Sequence, residues 1–150
     1  MAYGIKLPFT VTSSANARGH TKARAEGPRR QRALTTLVLQ NQPKMENDES
    51  FLVIFHRVAP RLYDEKDNLP MAFKAVRDAV AKHLGVSDSA YHGDKIDWLY
   101  RQTVCHKSQP EEAWLDVRSI SRTDLMAMRQ LCATAEGIAI GASFSQLRAR

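Results

Sequence analysis

The stretch "SFLVIFHRV", Ser50 to Val58, decides the class of fold. Its residues are apolar from Phe51 to Phe55, and most are β-branched or aromatic, which is typical of a central strand covered on both faces. A loop, "APRLYDEKD", follows, and "DNLPMAFKAVRDAVAKHLG" then repeats its apolar residues with helical spacing. The sequence therefore predicts a buried strand that leads through a charged loop into a helix.

This helix has recognisable signals at both ends. Asp67 or Asn68 can cap its N-terminus, and Pro70 fits its first turn. Gly85 can end it in a left-handed conformation. The predicted buried stripe is made of Leu69, Phe73, Val76, Val80 and Leu84.

Two elements are predicted on the N-terminal side of the central strand. "GIKLPFTV", residues 4–11, indicates a short strand, and "RRQRALTTLVLQNQ" indicates a helix with Pro28 just before its start. The basic stretch between them, "SSANARGHTKARAEGP", fits either a loop or a helix that begins poorly.

On the C-terminal side, "KIDWLYRQTV" and "AWLDVRSI" alternate like half-buried strands. The connection "CHKSQPEE" suits an antiparallel hairpin with a longer loop. "SRTDLMAMRQLCATAEG" then predicts a helix capped by Ser121 or Thr123, with Leu125, Met128, Leu131 and Cys132 on one stripe. This helix can pack on its own sheet or across a dimer partner.

The order strand, helix, strand, helix, strand, strand, helix predicts a mixed α/β or α+β single domain, with a small mixed sheet flanked by helices. Residues 1–120 form the expected domain, and residues 121–150 form a C-terminal helix and tail that belong to it or contact a dimer partner. Trp98 and Trp114 lie on alternating strands and are expected in the core or a dimer interface.

Composition narrows the class of protein. The chain has 150 residues, 43% of them hydrophobic and 25% charged, as expected for one globular domain. It has neither an apolar run of about 18 residues nor a secretory signal, so we expect no membrane partner and a cytoplasmic location. Cys105 and Cys132 lack any metal-binding spacing and are expected to be reduced thiols.

The positive charge is concentrated near the N-terminus. The formal net charge is +6, and between residues 16 and 32 only Glu26 opposes the basic side chains. These are Arg18, Lys22, Arg24, Arg29, Arg30 and Arg32. The segment is either a solvated face or a patch that binds the phosphates of a nucleic acid.

Negative charge is concentrated in the loop before the helix. One of Asp64, Glu65 and Asp67 would suffice to cap the helix, and three repel one another unless a cation lies between them. Glu65 and Asp67 are two residues apart, so in an extended loop both can reach one Mg²⁺. Asp88, in the loop after the helix, is a candidate for a further ligand. A solvated acidic loop is the alternative.

The helix also carries charges that bear on this loop. Lys74 lies two helical turns beyond Asp67, where it can offset charge on a phosphate. Asp78 is expected to pair with Lys74 or Lys82 on a solvated face.

The segment "DEKDNLPMAFKAVRDAVAKHLGVSDS" resembles the core of the RusA-type Holliday-junction resolvases, which phages and prophages carry. The shared pattern is an acidic residue, one spacer, Asp-Asn-Leu, an amphipathic helix and an Asp in the following loop. The resemblance covers roughly residues 3 to 120 and is most specific over 62 to 100.

This resemblance implies a small homodimeric nuclease that binds branched DNA and cuts four-way junctions with Mg²⁺, or with Mn²⁺ in its place. Carried over residue by residue, the implied metal ligands are Glu65, Asp67 and Asp88, with Lys74 as the assisting cation. The implied location is the cytoplasm of a bacterial host.

Three positions depart from the family pattern. Glu65 replaces the usual Asp, Ser87 interrupts consecutive acids, and Met71 stands where the family has a basic residue. Met71 and Ser87 favour one alternative, an inactive DNA-binding dimer on the same fold. A phage protein that binds a host protein is a second alternative, which weak or absent salt-dependent DNA affinity would indicate.

Overall fold

The central strand lies inside a four-stranded sheet, as the sequence predicts. The computed structural model describes residues 1–11, 21–45, 50–66, 68–87 and 95–134, and for 21–25 and 131–134 the backbone only. Within these ranges the elements are β1 Ala2–Lys6, α1 Thr21–Gln40, β2 Ser50–Ala59, α2 Asn68–Ala72, α3 Lys74–Leu84, β3 Ile96–Val104, β4 Glu112–Ile120 and α4 Arg122–Thr134. The predicted mixed α/β class is confirmed.

The strand order in the sheet is β1-β4-β2-β3. β2 is parallel to β3 and antiparallel to β4, and β4 is antiparallel to β1. The parallel pair requires a crossover connection, which α2 and α3 supply. The loop before α2 therefore lies at the end of the sheet where β2 finishes.

The predicted hairpin between the last two strands is wrong, because β2 separates β3 from β4. The connection from Cys105 to Glu111 passes the end of β2, a span of two strand spacings or about 10 Å that seven residues easily cover. This order gives β2, the most buried strand, a hydrogen-bonded neighbour on each edge.

One face of the sheet, which we call the helical face, is covered by α1 and α3. Phe51, Val53 and Phe55 of β2 point to it and are completely buried. The ring of Phe55 stacks on Phe73, with centroids 5.0 Å apart, and on Trp98 at 5.7 Å. The predicted stripe is confirmed, since Leu69, Phe73, Val76, Val80 and Leu84 are all buried in this core.

The opposite face, which we call the open face, carries Leu52, Ile54 and His56 of β2. Helix α4 contacts β2 on this side, and its Leu125 is completely buried. Ser121 is the cap, because its Oγ accepts a hydrogen bond of 3.0 Å from the Asp124 backbone N–H. Thus α4 packs on its own sheet, whereas the side chains of Leu131 and Cys132 and the tail from residue 135 lie outside the described residues.

Some element boundaries differ from the predicted ones. Pro28 lies inside α1 instead of preceding it, so the carbonyl of residue 24 lacks its usual helical donor. β1 begins at Ala2 and ends at Lys6, ahead of Pro8. Gly85 ends α3 with φ 66°, as predicted. None of the helices in the described ranges has the length and apolar character needed to cross a bilayer.

Candidate active site

The acidic loop follows the carboxyl end of β2 and ends where α2 begins. Asp64, Glu65 and Lys66 are all exposed there. The Asp64 carboxylate accepts a hydrogen bond of 2.9 Å from the Lys66 backbone N–H, which closes a small turn. The Asp64 carbonyl accepts another, also of 2.9 Å, from the Leu69 N–H at the start of the helix. The loop is therefore closed on itself around Glu65 and tied to α2 through the Asp64 carbonyl.

Of the three predicted metal ligands, Glu65 is described, and Asp67 and Asp88 lie outside the described residues. In the part of the chain that the structure describes, no three His, Cys, Asp or Glu side chains are grouped closely enough to hold a metal ion. Carboxylate oxygens suit Mg²⁺ by their chemistry. The described residues thus include one of the predicted ligands, Glu65, which is exposed on a loop fixed by hydrogen bonds.

The neighbours of the two other predicted ligands lie at opposite ends of the α2–α3 crossover. Lys66 precedes α2, and Ser87 follows α3. Hydrogen bonds from Phe73 N–H to Leu69 and from Arg77 N–H to Phe73 carry the helical path through the junction of α2 and α3. At a rise of 1.5 Å per residue, the 11 residues of α3 alone span about 16 Å.

The candidate basic residue of the site begins α3. Lys74 is the first residue of that helix, and its side chain is exposed. Met71, at the position where the resembled family has a basic residue, is 44% exposed. The structure therefore places one cation and one thioether on the exposed side of the same helical path.

The described part of the predicted basic patch lies on α1. Arg29 and Arg30 are exposed, and Arg32 forms an ion pair with Asp78 of α3. The expected pairing of Asp78 with Lys74 or Lys82 is wrong, because the packing of α1 on α3 brings Arg32 closer. Arg18 lies outside the described residues, and Lys22 and Arg24 are described by their backbone only.

Behind the acidic loop lies a polar cluster that sequence reasoning missed. Arg57 of β2 is only 4% exposed. Its guanidinium lies 3.8 Å from the ring centroid of Tyr63 and donates a hydrogen bond of 2.6 Å to the Arg61 carbonyl. Gln102 of β3 is hydrogen-bonded to both the N–H and the carbonyl of Tyr63. A charged residue within a central apolar strand was the available signal.

The open face carries a groove that was also missed. Its cavity of about 780 Å³ is lined by apolar residues of β2 and α4 and by the charged side chains of Asp116 and Arg118 on β4. Trp114, 40% exposed, stands at this groove with the Lys6 ammonium 5.5 Å from its ring centroid. Trp98, by contrast, stacks on Phe55 on the helical face. The strand register places the two tryptophans on opposite faces of the sheet.

Two ion pairs lie on the open face, Lys6 with Glu112 and Arg118 with Asp116. Hydrogen bonds from Lys6 and Trp114 lower the pKa of Glu112. A hydrogen bond to Asp116 raises the pKa of Arg118, and the two side chains are 2.6 Å apart. On the other side of the sheet, burial raises the pKa of Tyr3 to about 12. In the groove, Asp116 and Arg118 therefore form a local ion pair, whereas the charged side chains of the described part of the acidic loop are exposed.

Comparisons with known proteins add no relative. No family model matches the chain, and no curated protein matches it.

Proposed function

We propose that the chain is a Mg²⁺-dependent endonuclease that cuts branched DNA at four-way junctions. The observation that carries this proposal is the exposed acidic loop, held by hydrogen bonds between a central strand and a helix. It lies in the segment whose sequence resembles the junction resolvases.

Glu65, Asp67 and Asp88 are the residues that would hold the metal. When bound, Mg²⁺ supplies an activated water and stabilises the leaving oxygen of a phosphodiester. Lys74, exposed at the start of α3, offsets negative charge on the phosphate. Arg29 and Arg30 bind the DNA backbone from α1, together with Arg18, Lys22 and Arg24. Arg32 contributes less, because Asp78 already neutralises it.

The proposed enzyme works as a homodimer. The resemblance to the junction resolvases supports this, because it implies a homodimer. A two-fold dimer would place two sites against one branched substrate. Two such sites would suit a junction that is itself two-fold symmetric.

Cleavage of a labelled four-way junction, compared with linear duplex in the presence and absence of Mg²⁺, tests the proposal. We expect paired cuts confined to the junction and dependent on metal. Asp67→Asn should abolish cutting yet preserve binding, because it removes a metal ligand and a charge that repels DNA. Asp116→Asn, the same change on the open face, is the matched control. A chain that binds the junction without cutting it would refute the proposed catalytic activity.

Mixing two inactive variants tests whether the metal ligands of one site come from one chain or from both chains of the dimer. If each site takes Asp67 from one chain and Asp88 from the other, Asp67→Asn mixed with Asp88→Asn restores one complete site per heterodimer. After subunit exchange in an equimolar mixture, about half of the dimers are heterodimers, so we then expect single nicks to reappear at about a quarter of the wild-type number of sites. If both ligands come from one chain, the mixture stays inactive.

One observation favours the second candidate, a DNA-binding dimer without catalysis. Met71 is exposed where the resembled family has its basic residue. Met71→Lys distinguishes the two candidates: it should raise a measurable cleavage rate in an enzyme and should leave an inactive binder inactive.

A further inference from the structure

Two side chains from neighbouring strands reach the same piece of backbone ahead of the acidic loop. Arg57 of β2 and Gln102 of β3 are register partners and point to the helical face. Both contact the segment Arg61–Tyr63, which ends two residues before Glu65. We call Arg57, Gln102 and the backbone they hold the loop clamp.

Arg57 makes two contacts with the loop and one with the chain ahead of β4. Its Nη1 donates to the Arg61 carbonyl at 2.6 Å, and its Cζ lies 3.8 Å from the Tyr63 ring centroid. Its Nη2 is 3.3 Å from the Glu111 carboxylate. The guanidinium therefore fixes both the backbone of Arg61 and the ring of Tyr63.

Gln102 fixes the backbone of Tyr63 itself. Its Oε1 accepts from the Tyr63 N–H at 2.9 Å, and its Nε2 donates to the Tyr63 carbonyl at 2.7 Å. This pair of bonds is the one that a neighbouring strand residue would provide. The Gln102 side chain thus forms with Tyr63, a loop residue, the same two hydrogen bonds that pairing with a strand would form.

The composition of the clamp argues against a purely stabilising role. Burial of a guanidinium is costly, and its one carboxylate partner among the described residues is itself 40% exposed. An apolar side chain of similar length would fill the same space without that cost. What an apolar side chain would not provide is the directional hold on Arg61 and Tyr63.

We propose that Arg57 and Gln102 are positioning residues, which hold the acidic loop so that Glu65 presents its carboxylate at a fixed place for the metal. The role in metal binding rests on the proposed nuclease function, whereas the contacts of the loop clamp do not depend on it. Neither residue need touch metal or DNA. Their effect reaches the site through the backbone from Arg61 to Glu65.

Amide hydrogen exchange tests the clamp independently of activity. Arg57→Met and Gln102→Met keep side-chain length and remove the hydrogen bonds, and Arg118→Met on the open face is the matched control. In both clamp variants, exchange in peptides covering residues 61–69 should accelerate about tenfold, with α3 unchanged. The control should leave this loop at the wild-type rate. If Arg57→Met fails to fold, Gln102→Met still decides.

Titration of the same proteins with Mg²⁺ tests the consequence for the site. Because both residues support a ligand without touching the ion, affinity should fall about 10- to 100-fold in the clamp variants and stay unchanged in Arg118→Met. Loop exchange at the wild-type rate in both clamp variants would overturn the clamp, even in an active nuclease. Unchanged Mg²⁺ affinity beside accelerated exchange would overturn its role in positioning Glu65. A wild-type chain that neither binds Mg²⁺ nor cuts DNA would instead refute the nuclease.

Discussion

The two faces of the sheet are covered to different degrees. On the helical face, Phe51, Val53 and Phe55 are completely buried under α1 and α3. On the open face, Leu52 and Ile54 are slightly more exposed, and both line the groove that also includes Trp114. The same strands therefore have a closed core on one side and a partly solvated surface on the other.

This difference explains where a precise site can be built. The loop clamp lies on the helical face, where Arg57 is packed against Tyr63 and close to the closed core. A side chain held by packing keeps its direction, and a loop attached to it keeps its place. On the open face, by contrast, Lys6 pairs with its neighbour Glu112, and Asp116 pairs with Arg118.

The largest effect should follow a truncation on the helical face. Phe55→Ala removes a ring that stacks on Phe73, Trp98 and Tyr100, and it leaves an enclosed cavity. We expect the free energy of unfolding to fall by about 3–5 kcal/mol, measured by urea denaturation. A loss below about 1.5 kcal/mol would show that this face can collapse around the gap, and would remove the contrast between the faces.

Truncation to alanine one residue earlier, at Ile54, should reduce the free energy of unfolding by less. Ile54 points to the open face and lines the groove, so Ile54→Ala enlarges an existing opening instead of creating a closed cavity. We expect a loss of about 1.5–2.5 kcal/mol, mainly the transfer free energy of the removed methyl groups. A loss equal to that of Phe55→Ala would mean that the open face is as tightly packed as the helical face.

A still smaller effect is expected at the rim of the groove. Trp114→Ala removes an exposed ring and the cation–π contact with Lys6. Because the site is exposed, stability should change by less than about 1 kcal/mol. Thermal unfolding followed by circular dichroism measures this. A loss above about 2 kcal/mol would show that Trp114 contributes to the packing of the core.

The sequence predicts the helical face well, for a physical reason. Period-3.6 and continuous apolar patterns report burial against a closed core, so the stripe from Leu69 to Leu84 and the strand around Val53 were identified correctly. Local chemistry also identified the Ser121 cap and the Gly85 terminus. Such signals depend on residues close in sequence, and they do not require the topology.

The strand order and the loop clamp could not be predicted, because both depend on contacts distant in sequence. The loop from Cys105 to Glu111 fits a hairpin as well as a crossing over β2, and only the pairing of β2 with β4 decides. Arg57 was visible as a charge inside an apolar strand, but its partners at Arg61 and Gln102 appear only after β2 and β3 pair. Likewise, Asp78 pairs with Arg32 because α1 packs on α3, although Lys74 and Lys82 are nearer to it in sequence.

The smallest effect should separate the faces by their response to pH. On the helical side, burial and the nearby Lys44 lower the pKa of His83 from 6.5. As pH falls through 6.5, the unfolded chain binds a proton that folded His83 resists, so stability is lost. On the open face, the lowered pKa of Glu112 gives stability that persists above its ordinary value of 4.5 and is lost only in more acidic solution.

Two variants distinguish these contributions. Between about pH 7.5 and 5.5, His83→Gln should lose less stability than wild type, whereas Glu112→Gln should follow the wild-type slope. Urea midpoints measured across this range provide the test. An unchanged slope in His83→Gln would show that the histidine is as well solvated as the groups of the open face, and the contrast in burial would then not extend to the C-terminal end of α3.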